Sequence, residues 1–169
     1  TKEEKLLDTG GTLMANLDIL NDEENLIIHA DNWTNIDLIN IMEAHRNRPK
    51  ECIMTMLTFD SKNPKACGIV LCDENLIVRE FFEKTNNPPG NKANGALYVV
   101  GREFIEFVRG MDPKPSDISL DILPRILGRI YSWHTNEDYI DIGSLNSLVY
   151  ARKLCRRQGR DHGENKQLC

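Results

Sequence analysis

No stretch of this sequence approaches the roughly 20 consecutive apolar residues that a membrane-spanning helix needs. The charged opening Thr1-Lys2-Glu3-Glu4-Lys5 has no apolar run behind it of the kind a secretory leader carries. No membrane partner is expected, and a cytoplasmic location is the working expectation. Cysteine is scarce: Cys52, Cys67, Cys72, Cys155 and Cys169 are odd in number and widely spaced, with no C-x-x-C pair and no histidine at zinc-ligand spacing. They read as reduced thiols, mostly small core residues. Positive charge is also short, 21 Lys and Arg against 26 Asp and Glu for a net charge of -5, which is not the footprint of a nucleic-acid binder. A G-x-S-x-G elbow, a Walker loop, a spaced Cys-His pair and an internal repeat are all missing. His29, His45, His134 and His162 are scattered, and His29, inside an apolar run, reads as a hydrogen-bonded core residue.

What is present suits one soluble globular domain: 169 residues, 40% of them hydrophobic, enough for a core without disulfides or a structural metal. Thr9-Gly10-Gly11-Thr12 reads as a glycine turn leading into helix-like residues 13–17, although no strand precedes it as α/β proteins usually require. Residues 26–30 are continuously apolar and partly β-branched, as expected of a strand covered on both faces, with Asp31 at its carboxyl end. A helix capped by Thr34 or Asn35 should follow, with Leu38, Met42 and His45 on one face, Ile39 beside them and Pro49 closing it. Residues 52–59 form a second buried strand candidate, and 68–72 with 76–83 flank a hairpin turn. After the Asn/Pro/Gly-rich loop 85–92, strand character returns at 93–100, a short helix suits 102–108, and Ser116 or Asp117 can cap another that Pro124 divides and Gly128 ends. A strand near 131–134 and a helix capped by Ser144 complete the order, and the polar stretch 158–169 is expected to be a mobile tail.

Three groups of polar residues could carry chemistry. Open α/β sheets bind ligands beyond the carboxyl ends of their strands, so a carboxylate at Asp31 is well placed for Mg²⁺ and equally well placed to cap the following turn. Asp141 raises the same two readings, because Asp-x-Gly-Ser ahead of a helix is also a capping pattern. Glu83-Lys84 ends a strand and projects into a loop, where it could hold sugar hydroxyls and a phosphate. Taken alone, such a pair is more often solvated charge.

In order, Thr9-Gly10-Gly11-Thr12-Leu13, the strand ending in Asp31, Phe82-Glu83-Lys84, Asn94-Gly95-Ala96-Leu97-Tyr98, Asp121-Ile122-Leu123-Pro124 and Tyr139-Ile140-Asp141-Ile142-Gly143-Ser144 resemble the sugar-1-phosphate nucleotidyltransferases, the family of mannose-1-phosphate guanylyltransferase and glucose-1-phosphate thymidylyltransferase. The resemblance covers about residues 6–152. It implies a Rossmann-like α/β nucleotidyltransferase fold with a mixed, mostly parallel sheet. It also implies that a nucleoside triphosphate, GTP from the look of the glycine turn, and a sugar 1-phosphate give a nucleotide sugar and pyrophosphate. Asp31 and Asp141 would then be Mg²⁺ ligands. Gly10, Gly11 and Thr12 would lie against the nucleotide, Glu83 would accept hydrogen bonds from sugar hydroxyls, Lys84 would hold the sugar phosphate, and Asn94 and Gly95 would line the sugar pocket. The catalytic set implied is Lys84, Asp31 and Asp141.

Four departures from the family pattern stand out: Asp8 and Ala30 stand where glycine is usual, Thr85 where proline follows Glu-Lys, and Asn94-Gly95-Ala96 where Asn-Ala-Gly is usual. The family's Gly-x-Gly-Thr-Arg-Leu-x-Pro loop, which grips the triphosphate, does not occur in these residues. The expectation is therefore an N-terminally truncated domain over residues 1–152, with 153–169 as helix end and tail, binding nucleotide poorly and inactive alone. Exposed strand edges of such a sheet predict dimerisation or domain exchange. The alternative is a non-catalytic sugar-phosphate-binding or interaction module that retains the fold.

Overall fold

A computed structural model describes residues 6–20 and 23–161, so the expected tail beyond residue 161 lies outside the described residues. The chain divides into two compact units, one of residues 1–28 and 37–136, the other of residues 29–36 and 137–169.

The first unit is built on a six-stranded sheet of order β5-β4-β6-β3-β7, with β1 added to β6. Its strands are β1 (Asn25–Ile28), β3 (Met54–Asp60), β4 (Gly68–Cys72), β5 (Val78–Glu83), β6 (Lys92–Val100) and β7 (Ile130–His134). β3 sits centrally because Met54, Thr55, Met56, Leu57 and Thr58 are all buried. It pairs in parallel with β7 and antiparallel with β6. The sheet is mixed, as expected, but β3–β7 is its one parallel pairing among the described residues; the hairpin β4–β5 and the pairings β4–β6, β3–β6 and β1–β6 are all antiparallel. Reading 26–30 as a strand covered on both faces also fails: β1 is antiparallel, pairs on one side, and leaves Ile28 44% exposed.

Three helical segments cover the sheet. α1 (Asp8–Ala15) includes the glycines expected to form a turn. α2 (Leu38–Arg46) is capped by Asp37, whose carboxylate accepts from Ile39 N at 2.9 Å, and not by Thr34 or Asn35. It buries Ile41 and His45, leaving Leu38 and Ile39 exposed, because His45 Nδ1 is drawn to Thr55 Oγ1 of β3 at 2.9 Å. α3 (Arg102–Arg109) buries Phe104, Ile105 and Val108 at helical spacing, each worth about 1.5–3 kcal/mol of apolar burial. Asp117 caps the π-helical turn Ile118–Ile122, accepting from Leu120 N, and a 3-10 turn over Leu123–Ile126 follows where Pro124 cannot continue the ladder.

The second unit holds a two-stranded antiparallel ribbon, β2 (Asn32–Thr34) with β8 (Tyr139–Asp141), and α4 (Leu145–Asp161), which continues helical past residue 158 into the stretch expected to be tail. Ser144 Oγ accepts from Ser147 N at 3.1 Å, the expected N-cap.

Candidate active site

One face of the sheet carries a polar row that crosses five strands. Glu83 on β5 pairs with Gly68 on β4, Ile69↔Ala93 places Gly68 beside Asn94 on β6, Asn94 pairs with Thr58 on β3, and Thr58 pairs with His134 on β7. Directly opposed residues share a face, so all five point the same way. A Cβ on Gly68 would lie 2.7 Å from Glu83 Oε2 and 2.6 Å from the Phe81 ring, so the glycine is what lets the carboxylate lean inward over β4. Adjacent residues of a strand face opposite sides, yet Lys84 Nζ stands 3.5 Å from Glu83 Oε1. Lys84 reaches it because its backbone turns left-handed, φ 45°, as Lys84 N donates to Cys67 O.

β6 bulges in mid-row: Met56 opposes Tyr98 and Thr58 opposes Asn94, so three residues of β6 face one of β3. Asn94 holds the bulge with both ends of its amide, Oδ1 accepting from Ala96 N at 2.9 Å and Nδ2 donating to Tyr98 Oη at 2.8 Å. Tyr98 is buried, which first of all pushes its hydroxyl well above the ordinary phenol range; hydrogen bonds with Asn94 and Ser119 oppose that, while the Glu83 and Asp117 carboxylates add to it. Asn94 thus forms the floor of the row, and the buried Gly95 follows it within the bulge.

The glycines of α1 meet a different surface. Gly10 N and Gly11 N both donate to Ser116 O, at 2.8 and 3.1 Å, and a Cβ on Gly10 would strike Asp117 N at 2.7 Å. Thr9 Oγ1 accepts from Ile118 N and contacts Asp117 Oδ2. Asp121 fixes the far side: its carboxylate accepts from the amides of Asp117 and Ser116 and from the Ser116 hydroxyl, which hold it below the usual carboxylate range. Two motifs more than 100 residues apart therefore interlock. Gly10 is small for packing; Gly11 is half-buried and Thr12 exposed.

In the second unit the Asn32↔Asp141 pair and the 2.7 Å bond from Ile142 N to Asp31 O bring Asp31 and Asp141 together. Their carboxylates converge over Gly143, whose Cβ position is 2.9 Å from Asp141 Oδ1 and 3.9 Å from Asp31 Oδ2. Asp141 Oδ1 accepts from Gly143 N at 2.7 Å, which closes a turn ahead of α4, while the helix itself is capped by Ser144 and not by Asp141. Both residues are exposed, and neither has a cationic side chain as partner among the described residues. Two hard oxygen donors with no compensating charge fit Mg²⁺, which takes one or two carboxylates and fills its other positions with water and phosphate.

A family model described as nucleotidyl transferase matches residues 1–158. The chain belongs to that family. Among nucleotidyl transferase relatives it is 26% identical over 153 residues to mannose-1-phosphate guanylyltransferase of Mycobacterium tuberculosis, which covers 87% of this chain and 41% of the relative. It is also 26% identical over 145 residues to the mannose-1-phosphate guanylyltransferase catalytic subunit beta of Drosophila pseudoobscura pseudoobscura, covering 83% of this chain and 38% of the relative. Solved folds agree. A protein of Bacillus anthracis described as a glucose-1-phosphate thymidylyltransferase superposes with a TM-score of 0.79 at 21% identity, covering 91% of this chain and 63% of that one. HddC of Yersinia pseudotuberculosis, complexed with GMP-PN, gives 0.72 at 19%, covering 90% and 64%. This chain thus spans about 41% of the length of the mycobacterial relative.

Within the nucleotidyl transferase family, two of the four departures acquire a physical meaning. Asp8 (φ 56°) and Ala96 (φ 51°) both lie in the left-handed region, where the usual glycine would be unstrained. Asp tolerates that conformation better than Ala does. Ala30 carries no positive φ, so its replacement of glycine is free of this cost. Sequence reasoning passed over Gly68, Thr58 and His134; only the strand registers align them with Glu83 and Asn94.

Proposed function

We propose that this chain provides the sugar- and metal-binding groups of a nucleotidyltransferase that joins a sugar 1-phosphate to a nucleoside triphosphate, releasing pyrophosphate. The observation that carries the reading is the convergence of Asp31 and Asp141 over Gly143 without a cationic partner. GTP and a mannose-type sugar are favoured by the similarity to the mycobacterial and fly mannose-1-phosphate guanylyltransferases.

The chemistry needs little from acid or base groups. A phosphate nucleophile is already ionised at neutral pH, so the barrier lies in bringing anions together. Mg²⁺ held by Asp31 and Asp141 would supply positive charge for the phosphates. Lys84 offsets the charge of the sugar phosphate, Glu83 accepts from sugar hydroxyls, and Asn94 with Gly95 shapes the floor beneath the ring. Gly11, half-buried, and Thr12, exposed, would lie against the nucleotide. These residues contain no Gly-x-Gly-Thr-Arg-Leu-x-Pro loop, so turnover by this chain alone is expected to be slow. Among the described residues β1 pairs with β6 alone, and its other edge is where another strand, from a second copy or another segment, would add.

The test is pyrophosphate release from mannose 1-phosphate and GTP with Mg²⁺, using the longest product of the gene. Asp31→Asn and Asp141→Asn should each lower the rate on the order of 100-fold or more; undiminished rates in both would sink the metal assignment. The alternative reading is a sugar-phosphate-binding module without catalysis. Saturable sugar-phosphate binding with no turnover under any of these conditions would select it.

A further inference from the structure

We propose that His134 forms the wall of the sugar pocket opposite Glu83, with its Nε2 accepting a hydrogen bond from a sugar hydroxyl. The inference rests on the sugar-phosphate reading above and extends it to a residue on another strand.

Three observations place the imidazole. His134 is the last residue of β7, at the carboxyl end of the one parallel pairing described, the end at which α/β sheets bind ligands. Its Nδ1 reaches back 3.4 Å to Thr58 Oγ1, so the ring leans inward over β3. Glu83 leans inward from the other side over Gly68 on β4. Between β4 and β3 lies only β6, with Asn94 and the bulge as floor. Strands about 4.8 Å apart make the gap between the two inward-leaning groups about 10 Å, a width that admits one sugar ring with hydroxyls on both edges.

The hydroxyls beneath the ring allow the tautomer that the proposal uses. Thr58 is fully buried, and its single proton can go to Trp133 O at 3.4 Å. The buried Ser132 Oγ, 2.9 Å away, can donate to Thr58 Oγ1. With Thr58 Oγ1 accepting from Nδ1–H, Nε2 is the ring's acceptor. Nε2 has no partner among the described residues, and unlike the Nε2 atoms of His29 and His45 it is not sealed from solvent. An acceptor at each wall suits a polyol, whose hydroxyls can donate to both. Thr58 and Ser132 act through His134 and are positioning residues.

Imidazole ¹⁵N spectra of this chain titrated with mannose 1-phosphate, and separately with inorganic phosphate, decide the matter. His134 Nε2 should shift saturably with the sugar phosphate and not with phosphate alone. His134→Ala should weaken the sugar phosphate about tenfold, as expected for one hydrogen bond, and leave inorganic phosphate unaffected. Thr58→Val should reproduce part of that loss while Thr58→Ser restores it, an ordering that a packing role alone would not give. If backbone amides of Glu83, Lys84 and Asn94 respond to mannose 1-phosphate while His134 Nε2 stays silent, the role of His134 is overturned and the sugar-phosphate reading stands. If none responds, both fall.

Discussion

Glu83, Asn94 and His134 are carried by a six-stranded sheet whose central strand is buried residue after residue, whereas Asp31 and Asp141 stand at one end of a ribbon of two three-residue strands, just before β2 and at the end of β8. The sheet can impose conformations that cost energy. Lys84 and Ala96 are held at positive φ, each at a cost of about 1–2 kcal/mol, and both flank the row. The ribbon imposes much less, since a two-stranded pair is marginal alone. It sets two exposed carboxylates together, where the proposed cation would sit. One region is pre-organised by packing; under the proposed function the other would be organised by its ligand.

Native-state hydrogen exchange should expose this contrast most strongly. Amides of β3 and β6 are expected to exchange only through global opening, and those of β2 and β8 through local opening several kcal/mol easier, with Mg²⁺ slowing only the latter. Equal protection in both regions would break the comparison.

Acid should erode the sheet region next. Burial, and then the Arg48 charge, lower the pKa of His45 to about 4, so the folded protein keeps it neutral while the unfolded chain protonates near 6.5. Stability is therefore full above about pH 6.5, falls as pH drops toward 4, and levels off below. The shift alone allows up to about 3 kcal/mol, and screening of Arg48 by water lowers the expectation to about 2 kcal/mol. Denaturant titrations of the wild type and His45→Asn across that window should differ in slope.

Gly10→Ala should cost about 2 kcal/mol, because the obstructing atoms are backbone and cannot rotate away. Smallest and opposite in sign are Lys84→Gly and Ala96→Gly, each expected to stabilise by up to about 1 kcal/mol in thermal melts. Lys84→Gly should at the same time weaken sugar-phosphate binding, separating strain retained for binding from strain that is incidental.

Much of the sheet was legible in the sequence. Residues 52–59, the 68–83 hairpin and 93–100 announced themselves by continuous apolar runs and turn residues, and α3 by its spacing. The same rule misled at residues 26–30, because an apolar run was equated with a strand buried on both faces; the expectation of a mostly parallel sheet came from the family resemblance. The glycines of α1 were misread as a turn since glycine is a poor helix former; what holds that helix is the carbonyl of Ser116, invisible without tertiary structure. Asp31 and Asp141 were found only through their neighbouring motifs, as position alone left capping and metal binding balanced. His134 was dismissed as scattered because its alignment with Glu83 depends on four strand registers at once.

The most direct test replaces Mg²⁺ by paramagnetic Mn²⁺ and follows the amide resonances of the ¹⁵N-labelled chain. The account predicts that amides of Asp31, Asn32, Ile142 and Gly143 broaden first, and that Asp31→Asn or Asp141→Asn abolishes the effect. Broadening centred elsewhere, or unchanged in both variants, would contradict it.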